Sequence, residues 1–454
     1  MNSARRYRAL VVIAAFLILV LGSMQAAMVS RCPAPGMFPD SDVTVFVFPF
    51  VDYTSKDSSR FESPVGTELA GLIQADTLLA ISRYGHVAAI RMLGDPDECQ
   101  PDRVLERLLA EFGNGRRERA VVMLWGRIFR TGSETYVQSY ASFRRFVPKD
   151  PGEMVQLPLG DRVLAGQLAS QAFTFPPRHV SEDDLQAIRD RFAKENIVHE
   201  KADEQSPGKP LLLLFPQGGR PVYYMTDNQG DWIRIHTQSG QEGWILARAM
   251  LGQQSLSTRL PELKFVEGAA GYFGFRAQPS PDKAELADKA LRGFEASPLS
   301  DTAPPALAVA KELRGMLLLL AQNQSDSAFD QSASLFAEAA TVLPSSSTAG
   351  NLASVVALYR DWKQPGRKLN FQDNLNRFWS SISSNPDDRV ALTNCWTLIK
   401  VASNPAFRSR FTFDPPLSDQ DLARDARNME GLQLGGSQVR LAQAEPVVPW
   451  PKAH

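Results

Sequence analysis

The sequence predicts a multidomain protein: an α/β domain first, then a small β-barrel, then an α-helical repeat domain. Three observations carry this. Between Val43 and Phe146, β-branched and aromatic runs alternate with stretches whose apolar residues recur every three or four positions. Between Asp231 and Ile245, two short tryptophan-bearing strands flank a turn containing Ser239 and Gly240. From Pro281 to Arg408 the apolar period is helical, with Phe294, Phe336 and Phe378 at equal spacing. A chain of 454 residues also exceeds what one hydrophobic core supports, so roughly two to four domains are expected.

The amino end reads as an export signal. Arg5, Arg6 and Arg8 precede an uncharged apolar run from Ala9 to Leu21, followed by the small and mildly polar Gly22, Ser23, Gln25, Ala26 and Ala27. Residues 1–30 are therefore a signal peptide or, with the run continued to Val29, an uncleaved membrane anchor. The arginines keep that end in the cytoplasm in both cases, which places the body outside it. Arg31 stands before Cys32 where a lipidation signal needs a small residue, which argues against a lipid anchor.

Acidic and basic residues nearly cancel, 50 against 49, so the chain lacks the field a dedicated nucleic-acid binder needs, and nucleic acid is not expected as a partner. Three cysteines are too few for a disulfide scaffold, and their spacing matches no zinc motif. Cys32 and Cys99 could bridge in an oxidising compartment or remain free thiols. Cys395, in an apolar helical stretch, reads as core.

The first domain, residues 41–195, opens with the strand Val43 to Phe50. A helix begun by Pro64 follows, with Val65, Leu69, Leu72, Ile73 and Ala80 on one face. Next come a strand from His86 to Leu93 and a helix after Pro101 and Asp102. Strands Ala120–Arg130 and Thr135–Phe146 are joined by a turn at Thr131 to Glu134. Ser181 and Asp184 open a helix that closes the domain. The run Val45-Phe46-Val47-Phe48-Pro49-Phe50, with Leu124-Trp125-Gly126-Arg127-Ile128 leading into Tyr136-Val137-Gln138-Ser139-Tyr140, resembles the small amino-terminal α/β domain of the TolB translocation protein and related envelope lipoproteins. The resemblance implies an adaptor without catalytic residues.

Residues 196–209, charged and centred on Ser206, Pro207 and Gly208, read as a linker. In the module at 210–255, Asp231-Trp232-Ile233-Arg234-Ile235 and Glu242-Gly243-Trp244-Ile245 resemble the closing strands of bacterial SH3-like barrels. Its expected opening strand and Arg-Ser-Gly signature are missing from Leu211 to Met225. The resemblance implies binding of cell-wall peptides or partner proteins. Tyr223, Tyr224, Trp232 and Trp244 are the candidate ligand-binding residues, and burial of the two tryptophans in the barrel core is the competing reading.

In the helical region, 281–430, Phe336 with Ala339 and Pro344, and Phe378 with Ser381 and Pro386, resemble the second helix of a tetratricopeptide repeat. An ordinary helical bundle is the alternative. Helices at Ala306–Leu320 and Ala349–Trp362 supply partners. The tail, 435–454, carries Pro446, Pro449 and Pro451 without periodicity and reads as disordered.

No catalytic or metal-ligating set is found. Five histidines are scattered and lack zinc-hydrolase spacing. Gly-x-Ser-x-Gly is absent, and Gly268, Gly271 and Gly274 are followed by no Lys-Ser or Lys-Thr. Asp387 and Asp388, after a proline, read as helix-start residues. No cofactor is expected. The sequence thus points to a non-enzymatic adaptor of the cell envelope, periplasmic or tethered to the inner membrane, binding envelope proteins and potentially peptidoglycan. A wall enzyme with an unrecognised site, or an activator of a wall synthase, are the alternatives.

Overall fold

The computed structural model describes residues 43–54, 87–91, 120–145, 154–168, 171–181, 183, 197–210, 223–229, 232–237, 241–246, 261–321 and 325–435. The amino-terminal segment, the helices expected after Pro64, Pro101 and Ser181, the pair Cys32 and Cys99, and the tail from 436 lie outside the described residues.

The amino-terminal half is made of mixed sheets. It contains β1 (Val43–Asp52), β2 (Val87–Arg91), β3 (Ala120–Thr131), β4 (Glu134–Arg145), β5 (Met154–Leu159), β6 (Arg162–Gln167), β7 (Gln171–Thr174) and β8 (Arg178–Val180). The first sheet runs β2-β1-β3-β4-β7, with β8 also pairing β4. β1 lies parallel to β2 and β3, whereas β3 and β4 form an antiparallel hairpin. Its turn matches the expected one: Gly132 sits at φ 64°, a left-handed conformation that suits a tight hairpin and favours glycine. Gly126 has a different role. A Cβ there would lie 2.0 Å from the Phe50 ring, so the glycine makes room for that aromatic to cover its neighbour strand.

β5 and β6 form a separate two-stranded hairpin. A third sheet, ordered β10-β9-β13-β12-β11, is built from β9 (Ile197–His199), β10 (Gly208–Pro210), β11 (Tyr223–Gln229), β12 (Trp232–Thr237) and β13 (Glu242–Leu246). The linker expected at 196–209 is corrected here: β9 and β10 pair antiparallel and belong to this sheet. Strands of three residues around a charged turn, in which Asp203 accepts from the Gln205 amide at 3.0 Å, carry too little apolar alternation to be recognised as strands.

The carboxy-terminal half is helical. Helices α1 (Glu262–Ala277), α2 (Pro281–Glu295), α3 (Pro304–Ala321), α4 (Asp326–Val342), α5 (Ser347–Lys363), α6 (Phe371–Ser384), α7 (Arg389–Ser403), α8 (Pro405–Arg408) and α9 (Asp419–Gly435) follow in order. A small parallel pair, β14 (Leu369–Asn370) and β15 (Phe411–Thr412), joins distant parts of the region. Caps set most helix starts. Ser280, Ser325, Ser346, Asn370 and Asp388 each accept from a first-turn amide. Asp388 thus has the helix-start role expected of it.

Consecutive helices α1 to α7 pack on one another, and α1, α3, α5 and α7 also contact each other in turn. The odd-numbered helices therefore form one layer and α2, α4 and α6 the other. Phe294, Phe336 and Phe378 fall in α2, α4 and α6, each fully buried, so the equal spacing marks one helix pair per interval. Gly315 of α3 admits the Phe336 ring, which a Cβ would meet at 2.6 Å.

The helical region begins earlier than the expected Pro281. α1 is buried almost all round, from Leu263 to Phe275, and covers β1, β3 and β4. Its glycines depress helix propensity, and burial on every side erases the amphipathic stripe by which helices are recognised. Buried residues of all three regions, from Val43 to Met429 and including Val198, Ile235 and Ile245, belong to one connected apolar cluster.

Candidate functional site

Along β12, Ile235 is buried while Trp232 is partly exposed and Arg234 exposed, the alternation of a half-buried strand. On β13, Gly243 and Ile245 are buried and Trp244 and Leu246 partly exposed. The antiparallel register pairs Arg234 with Trp244 and Trp232 with Leu246. Trp232 and Trp244 are thus brought to one face on either side of Arg234, each partly exposed. The inner positions are taken by Ile235 and Ile245, at 0% and 1% exposure. Gly243 is required by close approach: a Cβ would lie 2.6 Å from the His199 carbonyl oxygen.

His199 of β9 pairs with Trp244 and stands edge-on to Trp232, ring centroids 5.2 Å apart. Its Nδ1 is 2.9 Å from the Ser206 carbonyl oxygen. A carbonyl only accepts, so Nδ1 carries the proton. Arg234 and Glu242 form an exposed ion pair at 2.7 Å. The face therefore offers two aromatic surfaces, a guanidinium and a carboxylate. Tyr223 and Tyr224 lie on the neighbouring β11, paired with Thr237 and His236, and their side chains lie outside the description.

Two arrangements were missed by the sequence reading. On the first sheet, Trp125 stacks on Tyr140 and Phe129 on Tyr136, each at 5.8 Å between centroids. Between these pairs the Arg127 Nε donates to Gln138 Oε1 at 2.8 Å, and Tyr140 donates to the same oxygen at 3.0 Å. Tyr136 donates to Glu134, and that hydrogen bond raises the phenol's pKa. The signal is present in the alternation of Trp125, Arg127 and Phe129 against Tyr136, Gln138 and Tyr140.

The second is the β5–β6 hairpin, which lies on α3, α5 and α7. Val155, Leu157, Leu159 and Leu164 are buried. Asn394 Oδ1 accepts from the Ala165 amide at 2.7 Å, and its Nδ2 donates to the Ala165 carbonyl at 2.6 Å. Asn351 donates to that carbonyl at 3.3 Å and accepts from Asn394 at 2.8 Å. One buried amide thus supplies the pair of bonds that a neighbouring β-strand would.

Two titratable groups in the helices are strongly shifted by burial. Cys395, fully buried as expected of a core residue, has its thiol pushed far up. Glu312 of α3 is 0% exposed, and burial raises its carboxyl to about 8. The Ser346 hydroxyl at the head of α5 opposes that rise. Neither carboxyl oxygen has a hydrogen bond of good geometry, so burial wins. Among the described residues, no three His, Cys, Asp or Glu side chains are placed to hold a metal ion, and no helix is long and apolar enough to cross a membrane. Comparison with protein-family models, with curated proteins and with solved structures finds no match to this chain.

Proposed function

We propose that the chain is an exported, non-enzymatic adaptor of the cell envelope that holds partners on separate surfaces of one frame. The observation that carries this is the outward face of the third sheet, where Trp232 and Trp244 flank Arg234. Partly exposed tryptophans beside a guanidinium make a contact surface of the kind enriched at binding sites. Its chemistry suits a peptide of mixed apolar and acidic character, such as the stem peptides of peptidoglycan.

The finer fold assignments belong to the same proposal. The β12–β13 ending is SH3-like in its Trp-strand, Gly-turn, Gly-Trp pattern. The first domain is assigned as TolB-like on the sequence pattern of Val45 to Phe50 and of Leu124 to Tyr140. The stack α1 to α7 is tetratricopeptide-like in its recurring buried phenylalanines. The basic-apolar-small order of residues 1–30 supports export, with the body in the periplasm or tethered to the inner membrane. Titration calorimetry of the body from Ser41 onward with soluble peptidoglycan fragments is the test. Saturable binding that weakens about tenfold or more in Trp244→Ala, the usual loss when an interfacial aromatic anchor is truncated, supports wall contact through this face. Binding unchanged by that substitution removes the face from the proposal.

A further inference from the structure

Phe143 of β4 pairs directly with Gln171 of β7, so the chain between them leaves the first sheet and returns to the same place. That sheet is complete without the excursion. Nor is the excursion needed to join the sheet to the helices, because α1 already packs on β1, β3 and β4 as well as on α2 and α3. The most extensive packing of β5 and β6 is to one another and to α3, α5 and α7.

Besides the burial of Val155, Leu157, Leu159 and Leu164 in the apolar core, the hairpin is held through its backbone. Asn351 and Asn394, at 2% and 0% exposure, direct their amides to the backbone of a single residue, Ala165. Backbone-directed bonds recognise extended chain without reading its side chains. An apolar pair at the same positions would join two fixed surfaces without the desolvation that buried amides incur, and these amides lose their partners if the strand leaves. Shape requirements are few: Gly166 faces Leu352, 2.6 Å from where a Cβ would stand, and the Gly160 turn, at φ 61°, fits against Phe407 and Val401. At the rim, Arg162 lies over Trp396 at 4.6 Å.

We propose that β5–β6 is a self-ligand seated in a strand-binding groove of α3, α5 and α7. The partner that exchanges with it is an extended polypeptide of alternating apolar residues with small residues at the Ala165 and Gly166 positions. The inference rests on the adaptor reading for the existence of such a partner. It fails separately from wall contact, which uses the Trp232 and Trp244 face.

The test uses the full chain and a labelled synthetic peptide spanning Met154 to Leu168. Two variants release the hairpin by different means, Gly166→Leu against Leu352 and the double substitution Leu157→Asp with Leu164→Asp on the buried face. Hydrogen exchange should show hairpin amides losing protection by about tenfold or more while the helices keep theirs, a local opening. The peptide should then bind the opened variants more tightly than the parent, and adding Asn394→Asp, which cannot donate to the Ala165 carbonyl, should remove that binding. Four outcomes overturn the proposal: hairpin amides that stay protected in both variants, helices that open together with the hairpin, an opened groove that does not bind the peptide, and binding indifferent to Asn394.

Discussion

Replacing Glu312 by glutamine should stabilise the protein, by an amount that grows with pH. Folded Glu312 keeps its proton up to about 8, against the ordinary 4.5 of a glutamate carboxyl. The native state therefore suffers no charge-burial penalty below the lower value, acquires one as pH rises between the two, and carries it in full above the upper. At about 1.4 kcal/mol per pH unit, the penalty at pH 7 is about 3 kcal/mol, and it approaches about 5 kcal/mol above pH 8. Relaxation around the charge makes both figures ceilings. Glutamine keeps the shape and the capacity to meet Ser346 but has no charge to bury. Urea unfolding of parent and variant, followed by far-ultraviolet circular dichroism at about pH 5 and about pH 8.5, reads the difference directly. The variant's advantage should be under about 1 kcal/mol at the lower pH and several times larger at the higher. An advantage equal at both pH values, or a variant less stable at the higher, would refute the reasoning.

Two further substitutions probe the frame. Asn394→Ala removes the amide that bonds Ala165 and strands the Ala165 N–H and the Asn351 Oδ1, while the Asn351 bond to the Ala165 carbonyl remains, so a loss of about 2 to 4 kcal/mol is expected; a loss below about 0.5 kcal/mol in urea unfolding would mean that these bonds do not hold the hairpin. Gly126→Ala drives a methyl into the Phe50 ring and toward the Gln138 carbonyl oxygen, 2.6 Å from the added Cβ, and should lower stability by about 1 to 3 kcal/mol; an unchanged unfolding midpoint would contradict the described packing.

The order of strands and helices was legible wherever the apolar period was clean. β1, β2, β3, β4, β12, β13, α3 and α5 fall within a few residues of their expected positions, because the apolar period of the runs that mark them is regular. What escaped did so for identifiable reasons. α1 is buried on nearly every side and rich in glycine, so neither period nor propensity marks it. β9 and β10 are too short to alternate. β5 and β6 do alternate, at Val155, Leu157 and Leu159, but Pro158 in the middle argues against a strand. Proline is tolerated there because it lies on an edge. The tryptophans of the candidate site were found by pattern; their outward direction was not, since only the pairing of β12 with β13 decides which side faces the core. Asn351 and Asn394 were invisible, because their partner is a backbone 186 and 229 residues away, respectively, and its side chain carries no signal.

Co-sedimentation of the body from Ser41 onward with insoluble peptidoglycan tests the adaptor account most directly, run beside Trp244→Ala with its fold verified by circular dichroism. The account predicts that the parent pellets with the wall in a saturable manner and that the variant stays largely in solution. A parent that remains in the supernatant at every wall concentration, or a folded variant that pellets equally well, would contradict wall contact through the Trp232 and Trp244 face.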